Sequence, residues 1–488
     1  MGRSKKYLEK INPVIRQFTG AFWEFLKKPE YLVVLFGIVF GIQILIYTPP
    51  FQVCDEPQHL FSAYRISEGH ILPQYRKGTS VSGSYVPRSF QLTVNTTGAN
   101  KMWSSRKNRQ DVEAVHEAFK IPLNPSDKKF KASYFQYPAL CYAPQALGMF
   151  VGRLFGASPI TLMYLARLFN LLVLIILAFF TIRLTPILKW TFFLLFLMPM
   201  TLFQLSSSSA DGPTFALAFF ITAYFFWLAF DPSRETVQKK DYYSLAAIGF
   251  LLGMLKPPYF LLVFMFFLVP WKRFGSWKKY LIAFGLLLLG VIVIAGGWQL
   301  VAGRHTAIML SKNIRPMDQF VWIAHHPRAF ASLMRSTFRH NQYYIQGLIA
   351  GIGWVNVKPP EWLVYGYLFA LLAVSALDKN DIEVGRFQRV FAFLLSLGTV
   401  VAVTAALFAT ANNVGVPLDK HVWTDKSVVL YIWGITGRYF VPPMALFFLV
   451  LYNKTIIYKK SKWFYLAVSL IGLIGGVATV NLLAERFY

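Results

Sequence analysis

The chain of 488 residues is 56% hydrophobic and 17% aromatic, with only 15% charged residues; an average soluble domain carries roughly 25%, so water is excluded as its main solvent. A net charge of +27 would raise nucleic acid as a partner of a soluble protein, but here Lys and Arg gather in short polar segments between apolar runs. That is the positive-inside pattern of a membrane protein and implies the bilayer, with no nucleic acid. Cys54 and Cys141 are too few for a disulfide framework; two separate buried thiols are the simpler reading, and a single bridge is the alternative.

In chain order, residues 1–30 form a basic segment with Arg3, Lys5, Lys6, Lys10, Arg16, Lys27 and Lys28 and no signal-peptide cleavage site, which is expected to stay in the cytoplasm. Residues 31–488 read as one transmembrane domain, in which no internal repeat of the transporter kind is visible. The first span covers Tyr31 to Tyr47 and exits outward at Thr48-Pro49-Pro50. The polar segment 48–157 follows, and its basic excess is permitted because long loops translocate regardless of charge. Its last part, Tyr137 to Phe155, is apolar but broken by Pro138, Pro144 and Arg153, which suits an interfacial helix.

Further spans are expected at 158–183, 190–206, 209–230, 242–255, 258–270, 280–301, 361–378, 389–410, 438–452 and 463–484, about eleven in all at ~20 apolar residues per crossing. The inner connections hold Arg183 and Lys189, then Arg234, Lys239 and Lys240, then Lys272, Arg273, Lys278 and Lys279, then Lys379, Arg386 and Arg389, then Lys454, Lys459, Lys460 and Lys462. This alternation leaves the C-terminus outside and gives the outer face three larger loops, 48–157, 302–360 and 412–437. At Lys256-Pro257-Pro258 neither proline can donate to a helix ladder, so the break is expected to line a polar cavity. The fold class is an all-α polytopic membrane protein.

The strongest chemical signal is Cys54-Asp55-Glu56-Pro57-Gln58-His59 at the outer end of the first span. Two adjacent carboxylates at a membrane surface offer a positioned general base. An exposed helix start, with Asp55 as N-cap and Pro57 in the first turn, explains the same residues. No zinc pattern joins His305, His325 or His326 to acidic or thiol ligands, and no nucleotide-binding Gly-rich loop or serine elbow is present.

These residues, with Ala63-Tyr64-Arg65-Ile66-Ser67-Glu68-Gly69-His70 behind them, resemble the bacterial membrane proteins carrying domain of unknown function 2142. Tyr137-Pro138-Ala139-Leu140, Tyr164 through Asn170, Ser209-Ala210-Asp211, Lys256-Pro257-Pro258-Tyr259 and Gly437-Arg438-Tyr439-Phe440 carry the likeness across the chain. That family is similar to the GT-C glycosyltransferase superfamily, whose members take sugars from polyprenyl- or dolichyl-phosphate and place an Asp in the first extracytoplasmic loop. The resemblance implies a GT-C-like fold and an inverting transfer on the outer face of a bacterial plasma membrane. Asp55 is the implied catalytic acid, with Glu56 beside it, and the acceptor is an envelope polysaccharide, teichoic acid or glycolipid. No metal is obligatory on this reading, although a divalent ion is not excluded, since fixed cations can stabilise the leaving phosphate.

Candidates for that phosphate are Arg167, Lys256 and Arg438 with Tyr439, because an intramembrane charge is by default a functional hypothesis. Snorkelling accounts equally for Arg438, and pairing with Asp211 is an alternative for Arg167. His59, Asp211, His340, Asn341 and Gln342 are the substrate-binding candidates. Asp211 also reads as a helix cap, His59 as a structural histidine, and the stretch from Arg335 to Tyr344 as an interfacial aromatic belt. Two rival functions are a flippase or transporter of lipid-linked saccharides, which would need midplane polar residues, and a polysaccharide polymerase or ligase.

Overall fold

The computed structural model describes residues 20–76, 82–133, 137–302, 316–339, 341–354, 356–378, 380–411, 432, 434–452 and 460–488. In chain order, α1 (Pro29–Tyr47) leads into an extramembrane segment with α2 (Glu56–Ser67), β1 (Gln74–Tyr75), β2 (Ser82–Pro87), α3 (Arg88–Thr96), α4 (Ala99–Ser104), α5 (Val112–Phe119), β3 (Lys128–Ala132) and α6 (Ala143–Leu154). There follow α7 (Pro159–Leu184), α8 (Lys189–Leu197), α9 (Pro199–Leu205), α10 (Asp211–Phe230), α11 (Lys239–Gly253), a 3-10 helix at Pro257–Leu268 and α12 (Trp277–Ala302). The remainder comprises α13 (Pro316–His325), α14 (Pro327–Phe338), α15 (Asn341–Ala350), α16 (Glu361–Leu377), α17 (Arg386–Ala411), α18 (Met444–Phe448) and α19 (Lys462–Phe487).

Among the described residues six helices are long and apolar enough to cross a membrane: α1, α7, α10, α12, α17 and α19. Of the about eleven spans expected, these six meet that length and composition as single helices. The other apolar segments are shorter or broken, and proline is a recurrent reason. Pro199 separates α8 from α9, and Pro257-Pro258 force the chain out of α11 into the 3-10 helix, since neither ring can donate to the preceding turn. That 3-10 helix is 12 residues long and at ~2.0 Å rise per residue reaches ~24 Å, farther than an α-helix of equal length. At the centre lies α10, whose apolar window is 83% buried against 22% for the peripheral α12. Phe192, Phe196 and Phe219 interlock edge to face where α8 meets it, the arrangement aromatic quadrupoles favour.

The segment between α1 and α7 has its own core of Phe51, Leu60, Tyr64, Phe90, Tyr142, Met149 and Ile160. It also holds a three-stranded antiparallel sheet in the order β1-β2-β3, with Gly83 opposite Ala132 and Pro87 opposite Lys128. The fold is otherwise helical, so the all-α expectation holds nearly throughout and this small sheet is the exception. Its strands carry little sequence signal because they are short, and Lys128–Ala132 reads as a charge run. At Gly83 a side chain would collide with the Lys131 carbonyl, which is why the central strand carries glycine there. The expected interfacial helix appears as a 3-10 turn, Ala139–Tyr142, running into α6, with Leu147, Phe150, Leu154 and Phe155 exposed.

Contacts gather the helix ends into two faces. On the face bearing the 48–157 segment, Gln110 N–H donates to Phe487 O at 2.7 Å, Tyr75 hydroxyl to Val301 O at 3.1 Å, and the Tyr47 and Tyr488 rings lie 6.1 Å apart. On the opposite face the Asp378 carboxylate accepts from Trp190 N–H and from Lys460 Nζ, both at 2.7 Å, tying α8, α16 and α19 together. Val237 N–H donates to Arg273 O there at 2.8 Å.

Candidate functional site

The loop that leaves α1 is built tightly. Phe51 (φ 63°) and Asp55 (φ 59°) both adopt the left-handed region, which an aspartate tolerates and a phenylalanine rarely does. The Phe51 carbonyl accepts from the indole N–H groups of Trp103 at 3.0 Å and Trp354 at 3.4 Å, so two distant segments clamp the turn. Asp55 occupies the N-cap position of α2, yet its carboxylate caps no backbone N–H. It is half-buried, meets the Cys54 thiol at 3.8 Å and pairs with no cation among the described residues. The helix-cap reading of Asp55 therefore leaves its side chain unexplained.

Glu56 behaves differently from its neighbour. It is fully buried and accepts from Arg167 at both oxygens, 2.8 Å from Nε and 2.6 Å from Nη2. The remaining Arg167 donors reach Leu45 O, Thr48 O and Pro49 O. A guanidinium has five N–H donors, and all are engaged by protein. Two expectations are corrected on this ground: Arg167 has no donor left for a phosphate, and Glu56 is a counterion, not a base. Asn170, one turn along α7, holds the carbonyls of Leu205 and Ser207 at 3.1 and 2.9 Å, so this stretch of α7 is a strut for both loops flanking the site.

Asp211 opens α10 and carries the charges that do converge. Lys256 Nζ pairs with Asp211 Oδ1, and Arg438 Nε lies 3.2 Å from Asp211 Oδ2; all three are buried. Asp211 does not cap its helix and does not pair with Arg167, so both alternatives for it are set aside. Lys256 is delivered by the Pro-Pro break at the end of α11. Arg438 is delivered by Gly437, where a side chain would strike the backbone of Tyr344 and Leu348 on α15. Two cations on one carboxylate leave the cluster one positive charge in excess.

Tyrosines wall this cluster. Lys256 Nζ stands 4.3 Å from the Tyr137 ring centre and the Arg438 guanidinium 5.2 Å from that of Tyr439, within cation–π range. The Tyr259 hydroxyl donates to Tyr439 O at 2.9 Å. His59 stacks on Tyr137 with centroids 6.2 Å apart, and its Nδ1 lies 2.9 Å from the Tyr142 hydroxyl. Burial, reinforced by the Lys256 ammonium, holds His59 down at about 3, so its imidazole is neutral at ordinary pH. Burial pushes the Cys54 thiol up, away from thiolate chemistry. Cys54 and Cys141 are both free, in line with two separate thiols.

The structure thus brings together His59, Asp211, Lys256, Arg438 and Tyr439, and Cys54, which touches Asp55, reaches Arg438. Gln342 does not join them; it is exposed and donates to Glu361 at 3.0 Å. His340 and the Asn341 side chain lie outside the described residues. Tyr137 and Tyr259 gain a place in the wall that sequence reading did not assign, although both belong to the matching stretches. Trp103 carried no sequence signal. Among the described residues no group of three or more His, Cys, Asp or Glu side chains is placed to hold a metal ion.

The family comparison fits this geometry, because the stretches that converge all lie inside the matched region. Residues 38–447 match the family described as "Predicted membrane protein (DUF2142)". The chain belongs to that family, and it is a membrane protein with several apolar helices. No curated protein and no solved structure matches it.

Proposed function

We propose that this protein is an inverting, GT-C-type glycosyltransferase that moves a sugar from a polyprenyl-phosphate donor to an envelope polysaccharide, teichoic acid or glycolipid. The observation that carries the reading is a half-buried Asp55 carboxylate with no cation partner among the described residues, one helical turn from His59 and next to Cys54, whose thiol meets Arg438 of the buried Lys256–Asp211–Arg438 cluster. Asp55 takes the proton of the acceptor hydroxyl, whose oxygen attacks the anomeric carbon. The bond from that carbon to the phosphate oxygen breaks, and its electron pair leaves with the lipid phosphate. Lys256 and Arg438 stabilise the charge that develops there, as preorganised cations in a water-poor site do.

Sidedness follows the same reading: a bacterial plasma membrane, about eleven crossings, the N-terminus in the cytoplasm, and the C-terminus outside with the site. In support, Phe487 lies on the same face as the 48–157 segment. α11 and the 3-10 helix each run between the Val237–Arg273 contact and the Lys256 cluster. The deciding experiment offers purified protein polyprenyl-phosphate sugars and, separately, polyprenyl-diphosphate oligosaccharides. Transfer from the monophosphate donors, abolished in Asp55→Asn, is expected. Turnover only with diphosphate oligosaccharides would replace this reading with a polymerase or ligase.

A further inference from the structure

On the face opposite Asp55, a cavity of about 440 Å³ opens between the ends of α7 and α10, lined by Phe180, Arg183, Leu184, Lys189, Trp227 and Asp231 among others. Its lining carries Arg183 and Lys189 at the α7 end, where Glu30 and Asp378 also face Lys189, and Asp231 at the α10 end, where the Arg273 guanidinium donates to Asp231 O at 3.3 Å. On the α7 side, Lys189 Nζ donates to the carbonyls of Ile182 and Arg183 at 3.0 and 3.3 Å. The Arg183 guanidinium is exposed, meets only the Phe179 ring at 5.9 Å and engages no carboxylate among the described residues. On the α10 side, Asp231 Oδ1 accepts from the Ser233 N–H and hydroxyl at 2.9 and 2.8 Å, while Oδ2 has no hydrogen bond among the described residues.

An apolar track leads away from this cavity. Leu172, Ile176 and Phe180 on α7 are 37%, 56% and 52% exposed, and their four-residue spacing puts them on one helix face. The track lies on a helix long and apolar enough to span the bilayer, and it ends where the two cations begin. A soluble anion would have no use for it, whereas a lipid would use both parts. Basic pockets between spans are known seats for phospholipid headgroups. Here the facing carboxylate also selects against a head that is only anionic.

We propose that this cavity is a specific site for an aminophospholipid. The phosphate rests on Arg183 and Lys189, the ammonium on Asp231, and an acyl chain lies along Leu172, Ile176 and Phe180. The site is independent of the transferase reading. The test is native mass spectrometry of the purified full chain with phosphatidylethanolamine, phosphatidylglycerol and phosphatidylcholine supplied in equal amounts.

The expected result is one phosphatidylethanolamine retained per chain in preference to the other two. Arg183→Gln should lower that retention about fivefold. Asp231→Asn, which keeps the Ser233 cap, should erase the preference over phosphatidylglycerol without weakening phosphatidylglycerol itself. Arg183 is exposed, so its variant is expected to fold, and unchanged thermal unfolding in detergent checks this. Equal retention of the three lipids, or retention indifferent to Arg183→Gln, overturns the proposal.

Discussion

Arg167 and Glu56 lock the end of the first span to α7: the guanidinium grips both carboxylate oxygens and, with its remaining donors, the carbonyls of Leu45, Thr48 and Pro49. Both side chains are fully buried. Removing one member of such a pair leaves the other charge uncompensated, at a cost of about 3–5 kcal/mol. Glu56→Gln and Arg167→Met are therefore each expected to lower the thermal midpoint in detergent sharply. The double variant should recover part of the loss, because no lone charge remains. Midpoints equal to wild type would remove the strut role.

Asp55 calls for the opposite outcome. Asparagine tolerates the left-handed backbone that position requires, so Asp55→Asn should keep the wild-type unfolding midpoint while turnover falls below detection. Glu56→Gln separates the two carboxylates: stability falls there first, and residual activity follows the folded fraction. Full activity in Asp55→Asn would discard it as the base.

The charge cluster can be divided by its two ends. Lys256→Met leaves Asp211 paired with Arg438 and is expected to lower kcat by about 10²–10³, the effect of deleting one preorganised group that stabilises developing charge. Asp211→Asn instead strands two buried cations, so it should lower the unfolding midpoint even without substrate. If Lys256→Met changes only the midpoint and leaves kcat of the folded enzyme intact, the lysine is structural.

Much of this arrangement was legible in the sequence, and the division has a physical reason. The apolar runs announced the membrane, and the Pro-Pro break placed Lys256 where a helix cannot continue. Asp211, Lys256 and Arg438 stood out because a charge beside a span needs a partner. Which partner each took was not legible. Arg167 and Glu56 are 111 positions apart, and only packing decides that Arg167 meets Glu56 instead of Asp211. The clamp of Trp103 and Trp354 on Phe51 O escaped for the same reason, since an indole far along the chain carries no local mark of its acceptor. How each apolar run is built was less legible, because the run does not disclose whether a proline divides it into two helices, as at Pro199, or opens a 3-10 helix, as at Pro257.

His59 supplies a test of the site's electrostatics that needs no substrate. Its ordinary value of 6.5 falls to about 3 in the folded chain, chiefly through burial and secondarily through Lys256. Above pH 6.5 the histidine is neutral in folded and unfolded chains alike, and its contribution to stability is intact. As pH falls from 6.5 towards 3, the unfolded chain binds a proton that the folded chain refuses, so stability is lost across that window. His59→Gln cannot take up this proton, and its amide can still meet the Tyr142 hydroxyl. Its unfolding midpoint should therefore fall less steeply than wild type between pH 6.5 and 4, with the two curves parallel above pH 7. The rate profile of the wild-type enzyme should show no limb near 6.5 from this residue. Identical slopes in the two proteins would mean that His59 titrates normally, and that the ring is neither desolvated nor within the field of Lys256.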